Sequence, residues 1–112
     1  MQPMLLKPVG NDYLWGGEKL KTEYYKDIEL TPLAETWELS TQVDGECLVA
    51  SGEFKDQSLA QVLKVHPEYL GTKVQDGELP ILIKFIDAAK DLSVQVHPDD
   101  EYALKHEKQK GK

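Results

Sequence analysis

The spacing of apolar side chains changes period several times along the chain, and each change predicts a different element. Residues 35–43, ETWELSTQV, alternate. Trp37, Leu39, Thr41 and Val43 fall on one side of an extended backbone, and Glu38, Ser40 and Gln42 on the other. That predicts a half-buried strand. The run ECLVASGEF (46–54) predicts a second, shorter strand broken at Ser51-Gly52. Asp44-Gly45-Glu46 is a turn sequence, so the two strands read as an antiparallel hairpin. The period then becomes helical in KDQSLAQVLKVHPEYLG (55–71). Ser58 is placed to cap a helix that gathers Leu59, Val62 and Leu63 on one face; Pro67 restarts the chain and Gly71 ends it.

The second half is more apolar. TKVQDGELP (72–80) predicts a polar loop, and ILIKFIDAA (81–89) a strand buried on both faces, with Lys84 as its exception. The chain turns at Ala89-Lys90-Asp91 into LSVQVHPDD (92–100), which suggests a second hairpin. Here the alternation is strict, with Leu92, Val94 and Val96 on one side and Ser93, Gln95 and His97 on the other. Such a polar face suits either solvent or a site. Past Pro98 an Asp-capped helix is expected to lose its apolar face beyond Leu104. Short strands with one or two small helices make the class mainly β with minor α.

The candidate chemistry lies on that polar face. Gln95 and His97, two apart, point the same way and could converge on one ion. Imidazole is the commonest transition-metal ligand, and Gln offers a neutral carbonyl oxygen. Zinc takes three or four ligands, so two residues are not a complete site. Lys84, inside an apolar run, either reaches the strand edge, pairs with a carboxylate or lines a cleft that binds an anion. Trp15-Gly16-Gly17 reads as a loop turning over a packed indole. His66 and His106 read as structural or solvated.

Charge narrows the classes. Twenty acids against thirteen bases give a net charge of −7, and every base is lysine. Without arginine or a clustered basic face, nucleic acid is a poor partner. No apolar run approaches the ~20 residues of a membrane span, and the first ten residues lack the pattern of a signal peptide. The single cysteine, Cys47, sits in an apolar run, and reads as a buried thiol of a reducing, cytoplasmic setting. No obligate protein partner is implied.

Four segments, LWGGEKL (14–20), ETWELS (35–40), GEFKDQSLAQVL (52–63) and LPILIKFIDAAKDLSVQVHPDDEYA (79–103), together resemble the type I mannose-6-phosphate isomerases, zinc enzymes of the cupin fold. The resemblance implies part of a jelly-roll-like β-barrel. It implies a sugar-phosphate substrate, mannose 6-phosphate interconverting with fructose 6-phosphate through an enediol. It implies Zn2+ held by His97 and Gln95, with Ser93 near the substrate phosphate, Lys84 lining the cleft and Lys112 as a catalytic-site lysine. The family's third metal ligand, a Glu, follows the segment matched by Gly111-Lys112. The expectation is therefore that residues 1–112 are the N-terminal part of the catalytic domain, truncated before that ligand. Such a chain alone should bind zinc weakly and turn over little substrate. The alternative is a stand-alone cupin-like module that binds a sugar or metal without catalysis.

Overall fold

The computed structural model describes residues 2–71 and 79–107. Five short strands form two antiparallel sheets among them. β1 (Leu6–Lys7) pairs with β4 (Leu48–Val49). β2 (Val9–Asn11), β3 (Glu35–Leu39) and β5 (Ile83–Ile86) form a three-stranded sheet with β3 at its centre. The helices are short: α1 (Lys19–Thr22), α2 (Leu59–Val65) followed by a 3₁₀ turn at Pro67–Leu70, and α3 (Asp100–Tyr102) running into a π-helical turn, Ala103–Glu107. The class is mainly β with minor α, and the described sheets are open.

α2 forms where the helical period predicts it. Ser58 accepts a hydrogen bond from the Gln61 N–H at 3.1 Å, and Leu59, Ala60, Val62 and Leu63 are buried. Burying each larger aliphatic side chain is worth roughly 1.5–3 kcal/mol, which anchors a helix too short to hold itself. Gly71 ends the following turn with φ +80°, a conformation that costs glycine little. Cys47 is fully buried beside this layer, as its apolar run predicts.

The first hairpin differs from expectation. β3 stops at Leu39, a bulge interrupts its register between Trp37 and Leu39, and the alternation fails beyond it. Ser40 is buried and Val43 lies in an exposed turn, the reverse of the predicted faces. The Cys47 N–H does reach back to the Ser40 carbonyl at 3.0 Å. The chain then leaves β3, and β4 pairs with β1 instead. Gly45 permits that tight return, since a Cβ there would stand 2.7 Å from the Trp37 ring.

The second half departs further. All four residues of β5 are exposed, where burial on both faces was predicted. β5 is bonded to β3 along one edge only, so the predicted cover is lacking among the described residues. Residues 92–97 form no strand, and the second hairpin does not close. Val94 and Val96 are 99 % and 90 % exposed. Alternation specifies two faces, but a strand also needs a neighbour to take its N–H and C=O groups, and this segment has none among the described residues. Most of the predicted loop at 72–80 lies outside the described residues, as does Lys112.

Candidate functional site

The three-stranded sheet assembles one polar wall. Its register sets Asn11 opposite Glu35, Glu35 opposite Ile86, Val9 opposite Trp37 and Trp37 opposite Lys84. Residues paired in this way project to the same face of a sheet, so Asn11, Glu35, Trp37 and Lys84 share a face. Glu35 is only 5 % exposed. One of its oxygens accepts from the Trp37 indole N–H at 2.8 Å. The Lys84 ammonium stands 3.3 and 3.4 Å from the two carboxylate oxygens and 5.8 Å from the Trp37 ring centroid. The carboxylate is thus held by an indole donor and a cation, as a buried charge requires. Lys84 is partly exposed, so its ammonium joins the buried carboxylate to the open side of the sheet. Beside them the Asn11 Nδ2 is buried without a hydrogen-bond partner among the described residues. Groups left in that state are uncommon in folded proteins, which makes Asn11 a spare donor on the wall.

The opposite face is conventional packing. Gly10 lies against Ile28, Leu30 and Leu33 so closely that a Cβ would meet their side chains at 2.7–3.2 Å. Lys26 pairs with Glu38 and lies 5.1 Å over the Phe85 ring, which Tyr24 also contacts. A groove of about 510 Å³ between α1 and β5 takes its lining from both faces of β5, Phe85 with Leu20 and Tyr24 from this one and Lys84 and Ile86 from the wall.

The Trp15 loop fixes the far end of β5. The Trp15 carbonyl accepts from the N–H groups of Ala89 and Lys90 at 2.8 and 3.1 Å. The Gly17 N–H donates to the Asp87 carbonyl at 3.2 Å, and an Asp87 carboxylate oxygen caps the Lys19 N–H at 2.8 Å. Gly16 makes this approach possible, because a Cβ would meet the Ala34 backbone at 2.5 Å. The half-buried Trp15 ring stacks on Tyr13 at 5.5 Å. The loop therefore tethers the connection from β5 into Ser93–His97.

In that segment Ser93, Gln95 and His97 are all exposed. The Gln95 Nε2 donates to Ser93 Oγ at 3.3 Å, so these two do point the same way, as the alternation requires. The structure brings Lys84 to Glu35 and Trp37 rather than to this pair. No group of three His, Cys, Asp or Glu side chains able to hold a metal occurs among the described residues. Gln95 and His97 fit zinc as two neutral donors on one side of an extended segment, half of the four ligands it prefers. His66 proves structural and His106 is exposed. His66 stacks on Tyr69 and bonds Glu68, whose carboxyl is held below its usual range by its own backbone N–H and by His66; His106 stacks on Tyr102.

Sequence reasoning passed over Glu35 and Asn11. The available signal for Glu35 was an acid two positions before a tryptophan on one strand face. Asn11 gave none, because its neighbour across the sheet is 24 positions away, roughly the span that local patterns cannot reach.

Comparison with known proteins agrees with this architecture. The family described as phosphomannose isomerase type I, catalytic domain, matches residues 4–112. The chain is 43 % identical over 106 residues to the probable mannose-6-phosphate isomerase GmuF of Bacillus subtilis, covering 94 % of this chain and 33 % of that protein. It is 36 % identical over 111 residues to the mannose-6-phosphate isomerase of Streptococcus mutans, covering 99 % and 35 %. Its fold superposes on the crystal structure of the mannose 6-phosphate isomerase from Bacillus subtilis with a TM-score of 0.91 at 33 % identity, over 99 % of this chain and 35 % of that one. The chain spans about a third of the length of the relatives it matches. The expected fold, an open part of the cupin barrel, stands. Among the described residues no helix is long and apolar enough to cross a membrane.

Proposed function

The chain belongs to the type I phosphomannose isomerases, and from that membership we propose that it forms the N-terminal third of a catalytic domain that interconverts mannose 6-phosphate and fructose 6-phosphate. The observation that carries this reading is the unbroken family match over residues 4–112, from the Trp15 loop through the Gln95-Val96-His97 segment. The sheet wall adds chemistry suited to it: a lysine held by a buried carboxylate, an indole donor and a spare amide donor on one face.

The reaction is a redistribution of protons. One leaves C2 of the aldose and one arrives at C1, while the C2 oxygen loses its proton and the C1 oxygen gains one; no electrons leave the sugar. The transition state carries developing oxyanion charge, so groups that favour negative charge there lower the barrier. His97 and Gln95 would hold zinc, which when bound supplies a Lewis acid for the sugar oxygens. Lys84 sits where it can receive an anionic or hydroxyl oxygen, and Glu35 holds it there. Ser93 would bind near the phosphate and Lys112 would serve the catalytic centre. A cytoplasmic setting and a sugar-phosphate substrate accompany this reading.

With only two ligands, the 112-residue chain by itself turns over negligible substrate. A chimera provides the direct trial: this chain replaces the matched third of the structurally characterised Bacillus subtilis relative, and fructose 6-phosphate formation is followed with a coupled assay. Turnover that His97→Ala abolishes supports the proposal. A folded chimera without turnover overturns it and favours a second reading, a non-catalytic binding module. That reading draws on the lack of a three-ligand metal cluster among the described residues.

A further inference from the structure

Asn11 and Glu35 stand opposite one another on β2 and β3, and the Asn11 amide nitrogen does not bond the carboxylate beside it. Opposed residues in a sheet hold their Cβ atoms about 5 Å apart, so a single oxygen between the two polar ends can reach both. The bonding of each side chain says what kind of oxygen that is. The Asn11 Nδ2 is closed to solvent and has no acceptor among the described residues, so it calls for a lone pair. A carboxylate offers about four lone-pair positions, two on each oxygen. On Glu35, Oε2 accepts from the Trp37 indole N–H at 2.8 Å and from the Lys84 ammonium at 3.4 Å. Oε1 accepts only from the ammonium, at 3.3 Å, among the described residues, which leaves it room for one more donor. A phosphate oxygen answers the amide but not the carboxylate, whose charge it also opposes. An ammonium answers the carboxylate but not the amide. A hydroxyl answers both, because its oxygen accepts while its hydrogen donates.

We propose that Asn11 Nδ2 and Glu35 Oε1 together form a binding position for one hydroxyl group of the sugar, which makes Asn11 a substrate-positioning residue. This rests on the reading of the chain as part of a sugar-phosphate isomerase. Two neighbours on the wall suit such an occupant. Ile86, on the other side of Glu35 and half exposed, offers an apolar surface to the C–H groups that flank a sugar hydroxyl. Lys84 is one-third exposed and forms the approach, and its long side chain can give way to a ligand. The charges of Lys84 and Glu35 offset each other across the pair. The position therefore selects the neutral, hydroxyl-bearing part of a sugar phosphate and leaves the phosphate to other groups.

The experiment follows the isotope-labelled 112-residue chain by nuclear magnetic resonance while mannose 6-phosphate, mannose or inorganic phosphate is added at millimolar concentration. Both sugars should shift the side-chain amide signals of Asn11 and the indole N–H of Trp37, which shares Glu35; inorganic phosphate should shift neither. Asn11→Ala should weaken both sugars about fivefold, the size of one neutral hydrogen bond, as read from the Trp37 indole. Its urea midpoint should stay at the native value, because the donor removed has no partner to lose. A purely structural Asn11 would do the opposite, moving the midpoint and leaving the sugars' affinity unchanged. Should the variant fail to fold, the amide signals of the native chain decide alone. An Asn11 amide that neither sugar shifts overturns the proposal, and so does one that inorganic phosphate shifts equally. A long-lived water that keeps its Overhauser contact to this amide in excess sugar overturns it too, since water is then the occupant. A shifted amide in a chain whose chimera lacks turnover keeps the hydroxyl position and removes the isomerase reading. Turnover by the chimera with an unmoved amide does the reverse, so the two fail separately.

Discussion

Lys84 and Glu35, 49 positions apart in the chain, meet across β3 and β5 with the ammonium 3.3 Å from the nearer carboxylate oxygen. The pair is asymmetric: the acid is buried and the base is one-third exposed. The two partners should therefore respond differently to removal. Lys84→Met leaves a buried carboxylate with only the indole N–H, and after allowance for solvent around the lysine it should cost about 1–2 kcal/mol. Glu35→Ala removes the acceptor of the Trp37 Nε1–H and opens a void, and should cost about 2–3 kcal/mol. The double variant should cost clearly less than the sum, since each single change strands the other residue. Urea unfolding of the four proteins measures the coupling; strict additivity would show that the pair contributes no mutual stabilisation.

The Trp15 loop makes a second, sharper prediction. Gly16→Ala would put a methyl 2.5 Å from the Ala34 Cα and 2.7 Å from its nitrogen, and backbone cannot swing aside as a side-chain tip can. The cost should lie at the top of the overpacking range, about 3 kcal/mol. The damage should also be directional. Ala89 and Lys90 donate to the Trp15 carbonyl, so their amides should exchange with solvent faster in the variant, while those of α2 keep their protection. Equal loosening at both places would mean that the loop is not a local tether.

These two positions also show what the linear pattern could and could not carry. α2 was legible because its cap, its apolar face and its terminating Pro67 and Gly71 all lie within seventeen residues, and each acts on its neighbours. The wall was not legible, because Asn11, Glu35 and Lys84 are brought together by register across three strands. β5 and residues 92–97 were misread for a related reason. Their composition announces burial, but burial depends on what lies opposite, and alternation alone says nothing about that. The same-side orientation of Ser93 and Gln95 did follow from the period of two, since it needs only an extended backbone.

Cys47 yields a prediction in pH. Burial, assisted by the negative charge of Glu38 and opposed by a backbone hydrogen bond from Ser40, pushes its thiol above the ordinary 9.0. The folded chain then keeps a proton that the unfolded chain gives up, so this residue's contribution to stability falls as pH rises past that value. Relative to Cys47→Val, the native protein should lose urea resistance as pH rises past that value. Thiol reagents should label Cys47 only on unfolding, because the side chain is fully buried and its thiolate disfavoured. Rapid labelling of the folded chain would contradict both statements.

The metal proposal can be tried on this chain without any turnover. Gln95 spends its amide nitrogen on Ser93 Oγ, which leaves its carbonyl oxygen as the atom available to an ion. An imidazole is a better zinc ligand than a neutral amide oxygen, and two ligands fall short of the four that give structural sites their affinity. Zinc titrated into the purified chain should therefore bind in the micromolar range or more weakly. His97→Ala should abolish the heat signal, and Gln95→Ala should weaken it severalfold. Ser93→Ala removes only the group that orients the amide and should have the smallest effect of the three. Nanomolar binding that survives His97→Ala would place the metal elsewhere on the chain and remove His97 and Gln95 as its ligands.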